Sequence, residues 1–160
     1  MSSSATGPST SAPIPSSSAG GYVITARATL ALIAVQFGLA GLGAYQGLGG
    51  RDVEGSWWQP HTVLGYVIGL LTLALLALAL ARALGPSVVR PTTVIAALAV
   101  IGQPLLGELG EEASAWFGLL HALNGVAIAA VLGLVSARAA RAAQPDRAAQ
   151  PDRAAREMPR

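Results

Sequence analysis

His61–Ala81 reads HTVLGYVIGLLTLALLALALA and carries no charged side chain. After Gly69 it is almost pure leucine and alanine. A helix of a soluble bundle needs a polar face toward water, and this run has none to offer. It is long enough to cross the roughly 30 Å hydrocarbon core of a bilayer as a helix. A segment apolar on every side belongs in lipid, and that decides how the rest of the chain is read.

Three more uncharged runs stand around it: Ala28–Gly50 after Arg27, Thr92–Gly107, and Ala113–Ala137 before Arg138. Spans are expected over about 23–48, 60–84, 91–107 and 113–138. Their connections are short, so the expected fold is all-α: an antiparallel four-helix transmembrane bundle. Hydrophobic residues make up 52% and charged residues 11%, against about 25% charge in a typical soluble domain. The transmembrane domain is expected over 22–141. Apart from Met1 and Ile14, residues 1–21 are Ser, Pro, Thr, Ala and Gly, with no charged side chain, the composition of a disordered tail. Residues 142–160 form a second, low-complexity tail, in which Ala-Ala-Gln-Pro-Asp-Arg occurs twice in succession.

Charge fixes the expected sidedness. Arg27, Arg82, Arg90, Arg138 and Arg141 fall on one side of the four spans. Asp52, Glu54, Glu108, Glu111 and Glu112 fall on the other, with Arg51 among them. Basic residues near span ends stay inside, which puts both termini in the cytoplasm. Arginine without lysine, in an Ala- and Gly-rich chain, fits a GC-rich bacterial genome and a place in the cytoplasmic membrane. The sequence pI of about 9.7 does not point to nucleic acid, because the arginines flank spans or lie in the tail.

The chain has no cysteine. Disulfides, thiolate catalysis, thiolate metal sites and covalent haem attachment through Cys are therefore excluded. There is no Gly-rich phosphate loop, and no serine stands at a diagnostic spacing from a histidine. A channel would want polar residues at every depth, and a transporter more spans with helices broken at the midplane.

Two histidines remain, and they open the second and fourth spans. His61-Thr62-Val63-Leu64-Gly65 is matched by His121-Ala122-Leu123-Asn124-Gly125. Each has Gly four residues on, one turn away on the same helix face, leaving room for a flat group. Gln36 in the first span and Gln103 in the third precede these motifs, so the chain reads as two related helix pairs about a pseudo-twofold axis. Spans two and four run the same way and lie diagonally in a sequential bundle. Both histidines then sit at one depth near the outer face and can approach each other across the centre.

Imidazole is a haem-iron ligand, and two opposed imidazoles give a centre suited to electron transfer. We therefore expect haem b ligated by His61 and His121, with the second ring nitrogen of each donating to a carbonyl, carboxylate or water. Gly65, Gly125 and the glycines of span one supply the slot, and Gln36 and Gln103 lie deeper. Trp57, Trp58 and Trp116 stand at the membrane interface and cover the mouth. Two other readings fit the same residues: satisfied interfacial histidines, or zinc or copper with Glu54 or Glu111 as a further ligand. Without a cofactor the chain reads as an accessory subunit of a larger membrane complex. A cytochrome would need a quinone or membrane protein as redox partner. The small residues of span one and the Leu/Ala surface of span two suit self-association.

A four-helix unit with His opening helices two and four resembles one half of heme A synthase, and is broadly similar to other four-helix membrane cytochromes b and to small four-span proteins of high-GC bacteria. The resemblance covers about Ala28–Ala137 and places His61 and His121 at that family's outer histidine pair. Glu54, Trp57 and Trp58 precede His61 as the family's Glu and Trp do, but Glu54 stands further from the histidine than in the family, and Thr62 stands where the family has Arg. The resemblance implies haem binding and, at its furthest, haem-modifying activity, although one half alone does not house two haems.

Overall fold

The computed structural model describes residues 16–48 and 58–143. Its elements are α1 (Ser16–Leu48), α2 (Gln59–Ala81), α3 (Pro86–Ala97), a π-helical segment (Leu98–Gly102), α4 (Gln103–Glu112) and α5 (Ala115–Ala142). The segments from Pro86 to Glu112 run on as one span, so four helices are long and apolar enough to cross a membrane. They form an antiparallel four-helix bundle without β-structure among the described residues. Neighbouring spans pack along their length, and α5 closes the ring against α1. The diagonal pair α2 and α5 makes no direct backbone approach.

The local sequence explains where the helices begin and end. Pro60 stands in the first turn of α2, where its missing N–H costs nothing. That helix ends at Arg82 with two backward bonds, Ala83 N–H to the Leu80 carbonyl (3.0 Å) and Leu84 N–H to the Ala79 carbonyl (2.9 Å). These are the paired bonds of a Schellman turn, in which the residue after the cap adopts a left-handed conformation. Ala83 does so at φ 48°. Gly85 and Pro86 then start α3 at once. Ser114 caps α5 by accepting the Trp116 N–H at 3.3 Å.

The boundaries differ from expectation in three places. α1 starts at Ser16, inside the stretch read as a tail over 1–21, because Ser and Ala tolerate helix once the apolar run draws them in; residues 1–15 lie outside the described residues. The third span covers Pro86–Glu112 in place of 91–107. Pro91 lies near enough to the helix start to sacrifice only one backbone bond, and Glu108, Glu111 and Glu112 extend the helix beyond the apolar run. α5 likewise continues to Ala142. Most of the tail 142–160 lies outside the described residues.

The bundle packs unevenly along its axis. The core joins Tyr22, Ala26 and Ile33 of α1 to Leu75 and Ala79 of α2, Ile95 and Ala99 of the third span, and Leu132 and Val135 of α5. Buried threonines there return their hydroxyl protons to their own helix: Thr29 to Thr25, Thr72 to Gly69 and Thr92 to Val88. In a dry interior that satisfies a donor that water cannot reach. Beyond Ile33, before Ile68, and from Val100 to Ala127, no described side chain is buried; Gly43 is the one buried residue in that half. The tight half carries the start of α1 and the end of α5, and the looser half carries both histidines.

Candidate functional site

His61 and His121 lie on the diagonal helices α2 and α5, whose backbones do not approach, yet their imidazole rings come together across the bundle. The ring centres are 6.1 Å apart and the planes are tilted by 51°. Each ring is held in the same way by the preceding helix. His121 Nδ1 lies 2.9 Å from the Gln103 carbonyl oxygen, and His61 Nδ1 lies 3.4 Å from that of Gln36. A carbonyl oxygen only accepts, so the ring nitrogen is the donor in both. That places a proton on Nδ1 of each ring; a neutral imidazole so held would turn an unprotonated Nε2 away from that contact.

The glutamine side chains repeat the symmetry. A Cβ added at Gly65 would stand 3.3 Å from Gln36 Nε2, and one added at Gly125 would stand 3.0 Å from Gln103 Nε2. The glycine one turn below each histidine thus makes room for the glutamine of the neighbouring helix. The Phe37 ring would stand 3.3 Å from the same added Cβ at Gly125. Gln36 Nε2 donates to the His61 carbonyl at 2.9 Å and ties α1 to α2. The Oε1 atoms of Gln36 and Gln103 are buried without a hydrogen-bond partner. Such acceptors are uncommon in folded proteins, and both stand beside this site.

Trp58 meets His61 edge to face, with ring centres 5.9 Å apart at 85°. The same indole lies over Gly43, where an added Cβ would be 3.2 Å from the ring. Gly43 therefore seats a tryptophan, whereas Gly38 and Gly41 have nothing within 4 Å of an added Cβ. Trp116 is 74% exposed, as an interfacial anchor would be. Trp57, Arg51 and Glu54 lie outside the described residues. Glu111 is exposed, and among the described residues no group of three or more His, Cys, Asp or Glu side chains gathers for a metal.

The sequence reading missed the local structure around His121. The backbone widens to a π-turn over Leu98–Gly102, in which Gln103 N–H reaches back to the Leu98 carbonyl. Pro104 gives the cause. It has no N–H, and in a regular helix its ring would press on the carbonyl four residues back. Asn124 Nδ2 donates to the same Leu98 carbonyl at 3.3 Å.

Fold and site together define a four-span membrane protein with a paired-histidine centre at one end of the bundle. A family model described as "Family of unknown function (DUF6220)" matches residues 36–109. That is under half of the chain, and it takes in Gln36, His61, Gly65 and Gln103 while stopping short of His121. No curated protein and no solved structure matches the chain.

Proposed function

We propose that the protein binds one haem b between His61 and His121 and works in membrane electron transfer. The observation that carries this reading is the separation of the two imidazoles with both Nδ1 atoms already engaged. A metal–imidazole bond of about 2 Å on each side, with roughly 1 Å more from nitrogen to ring centre, calls for a centroid separation of about 6 Å. The rings stand 6.1 Å apart. The fit of the group is supported by two imidazoles, each oriented at Nδ1 by a carbonyl, in the half of the bundle where side chains are least packed. Held between His61 and His121, haem would supply a one-electron centre, the chemistry of electron relay.

This chain's own part is to hold and orient. The Gln36 and Gln103 carbonyls set the tautomer and raise ligand basicity. Trp58 fixes the His61 ring from one edge. The arginine distribution supports a bacterial cytoplasmic membrane with both termini inside and the site near the outer face. A quinone or a membrane redox protein would exchange the electron.

The competing reading is an accessory subunit whose histidines serve as interhelical hydrogen-bond donors, which the same two Nδ1 contacts favour. A reduced-minus-oxidised spectrum of protein purified from haem-competent cells separates the two. We expect a sharp low-spin b-type spectrum, lost or turned high-spin in His61→Ala and in His121→Ala. Colourless protein, or a full low-spin spectrum in either variant, would overturn the haem reading.

A further inference from the structure

The two helix pairs are alike at His, Gly and Gln, but they differ three residues after the histidine: Leu64 in the first pair, Asn124 in the second. Asn124 is the sole asparagine of the chain. It lies beside the π-turn, and the first pair has no counterpart to that turn. The Leu98 carbonyl accepts from two donors, the Gln103 N–H from within the turn and the Asn124 amide from α5. Gly102 leaves the space: a Cβ there would come within 3.4 Å of Asn124 Nδ2.

One residue of an α-helix turns through about 100°. A one-residue widening therefore rotates everything beyond it by a similar amount. Gln103 is the first residue beyond the turn, and its carbonyl meets His121. The contact is 2.9 Å in this pair and 3.4 Å in the unwidened first pair. We propose that Asn124 is a positioning residue for His121: by clamping the Leu98 carbonyl it holds the π-turn, and so aims the Gln103 carbonyl at Nδ1. His121 is thereby the firmly oriented imidazole of the pair and His61 the looser one.

The arrangement concerns the protein alone, and only its redox consequence rests on the haem reading. The test uses full-length protein in detergent, without haem, labelled with 15N-histidine. Solvent exchange of each Nδ1 proton is measured in wild type, Asn124→Leu and Asn124→Gln. Loss of one net hydrogen bond corresponds to exchange on the order of tenfold faster. We expect that change at His121 in Asn124→Leu, no change at His61, and recovery in Asn124→Gln, which keeps the donor. Unchanged exchange at His121, or equal acceleration at both rings, would overturn the proposal. Should Asn124→Leu fail to fold, Gly102→Val displaces the amide from the other side and is judged by the same two rings. In haem-loaded protein, Asn124→Leu should raise the midpoint potential while the low-spin spectrum is kept, because a weaker Nδ1 bond makes a less basic ligand. Protein that takes up no haem would sink the functional reading and leave the exchange experiment intact.

Discussion

Tyr22 and Thr92 share a 2.8 Å hydrogen bond between their hydroxyls, and both side chains are fully buried. They belong to α1 and α3, the diagonal pair that the histidines do not span. Thr92 already gives its proton to the Val88 carbonyl at 2.7 Å, so Tyr22 is the donor between the two hydroxyls. One diagonal is thus latched at the packed end of the bundle, while the other meets through imidazoles at the looser end. Tyr22→Phe keeps the ring and removes this donor. We expect a loss of about 1 kcal/mol in a reversible detergent unfolding titration. The histidine geometry should be unaffected, and an unchanged unfolding midpoint would show that the latch carries no stability.

Much of this was legible from composition. Uncharged runs ended by arginine or acid located all four spans, since charge is costly in hydrocarbon wherever it falls. The matching His-x-x-x-Gly motifs brought His61, His121, Gly65, Gly125, Gln36 and Gln103 to one end of the bundle. The reason for the glycines was not legible: Gly65 and Gly125 stand against glutamine side chains, a contact between helices that spacing along one helix does not encode. Pro104 lacks an N–H for the Val100 carbonyl, but nothing in that residue says whether the helix bends or widens. The widened turn carries a contact from another helix, the Asn124 amide on the Leu98 carbonyl, twenty-six positions away in the chain. Tyr22 and Thr92 gave no signal, being ordinary residues near span ends.

The arginines predict a sidedness that can be measured directly. Reporter fusions at Pro86 should give cytoplasmic signals and fusions at Glu111 extracytoplasmic ones, since Arg82 and Arg90 flank the first position and the second lies beside Glu108 and Glu112. An extracytoplasmic signal at Pro86 would invert the topology and move the histidine site to the inner face.

Ala83 adopts a left-handed conformation, φ 48°, at the place where helices usually put glycine. The side chain is exposed and the two turn bonds are backbone bonds, so Ala83→Gly removes the strain and leaves the turn's contacts alone. We expect a gain of about 1 kcal/mol in unfolding free energy. No gain would mean that the added freedom of the unfolded chain offsets the relief.

At the histidine end, α4 and α5 come close where Gly110 faces Gly118. A Cβ added at Gly110 would stand 2.9 Å from the Gly118 nitrogen and 3.0 Å from its Cα. Both are backbone atoms, so no side-chain rotation relieves the clash and α4 must move away from α5. The converse does not hold: a Cβ at Gly118 meets nothing within 4 Å. Gly110→Ala should therefore cost about 1–3 kcal/mol, while Gly118→Ala should be nearly neutral. The effect should also reach the site, because Gly107, one turn earlier on α4, would put its own Cβ 3.5 Å from His121 Nδ1. Separating the helices there lengthens the bond between His121 and the Gln103 carbonyl. Unfolding titrations of the two variants, with 15N-histidine spectra beside them, check both parts. Equal destabilisation by the two substitutions, or a His121 signal untouched in Gly110→Ala, would mean that this crossing does not set the spacing at the histidine.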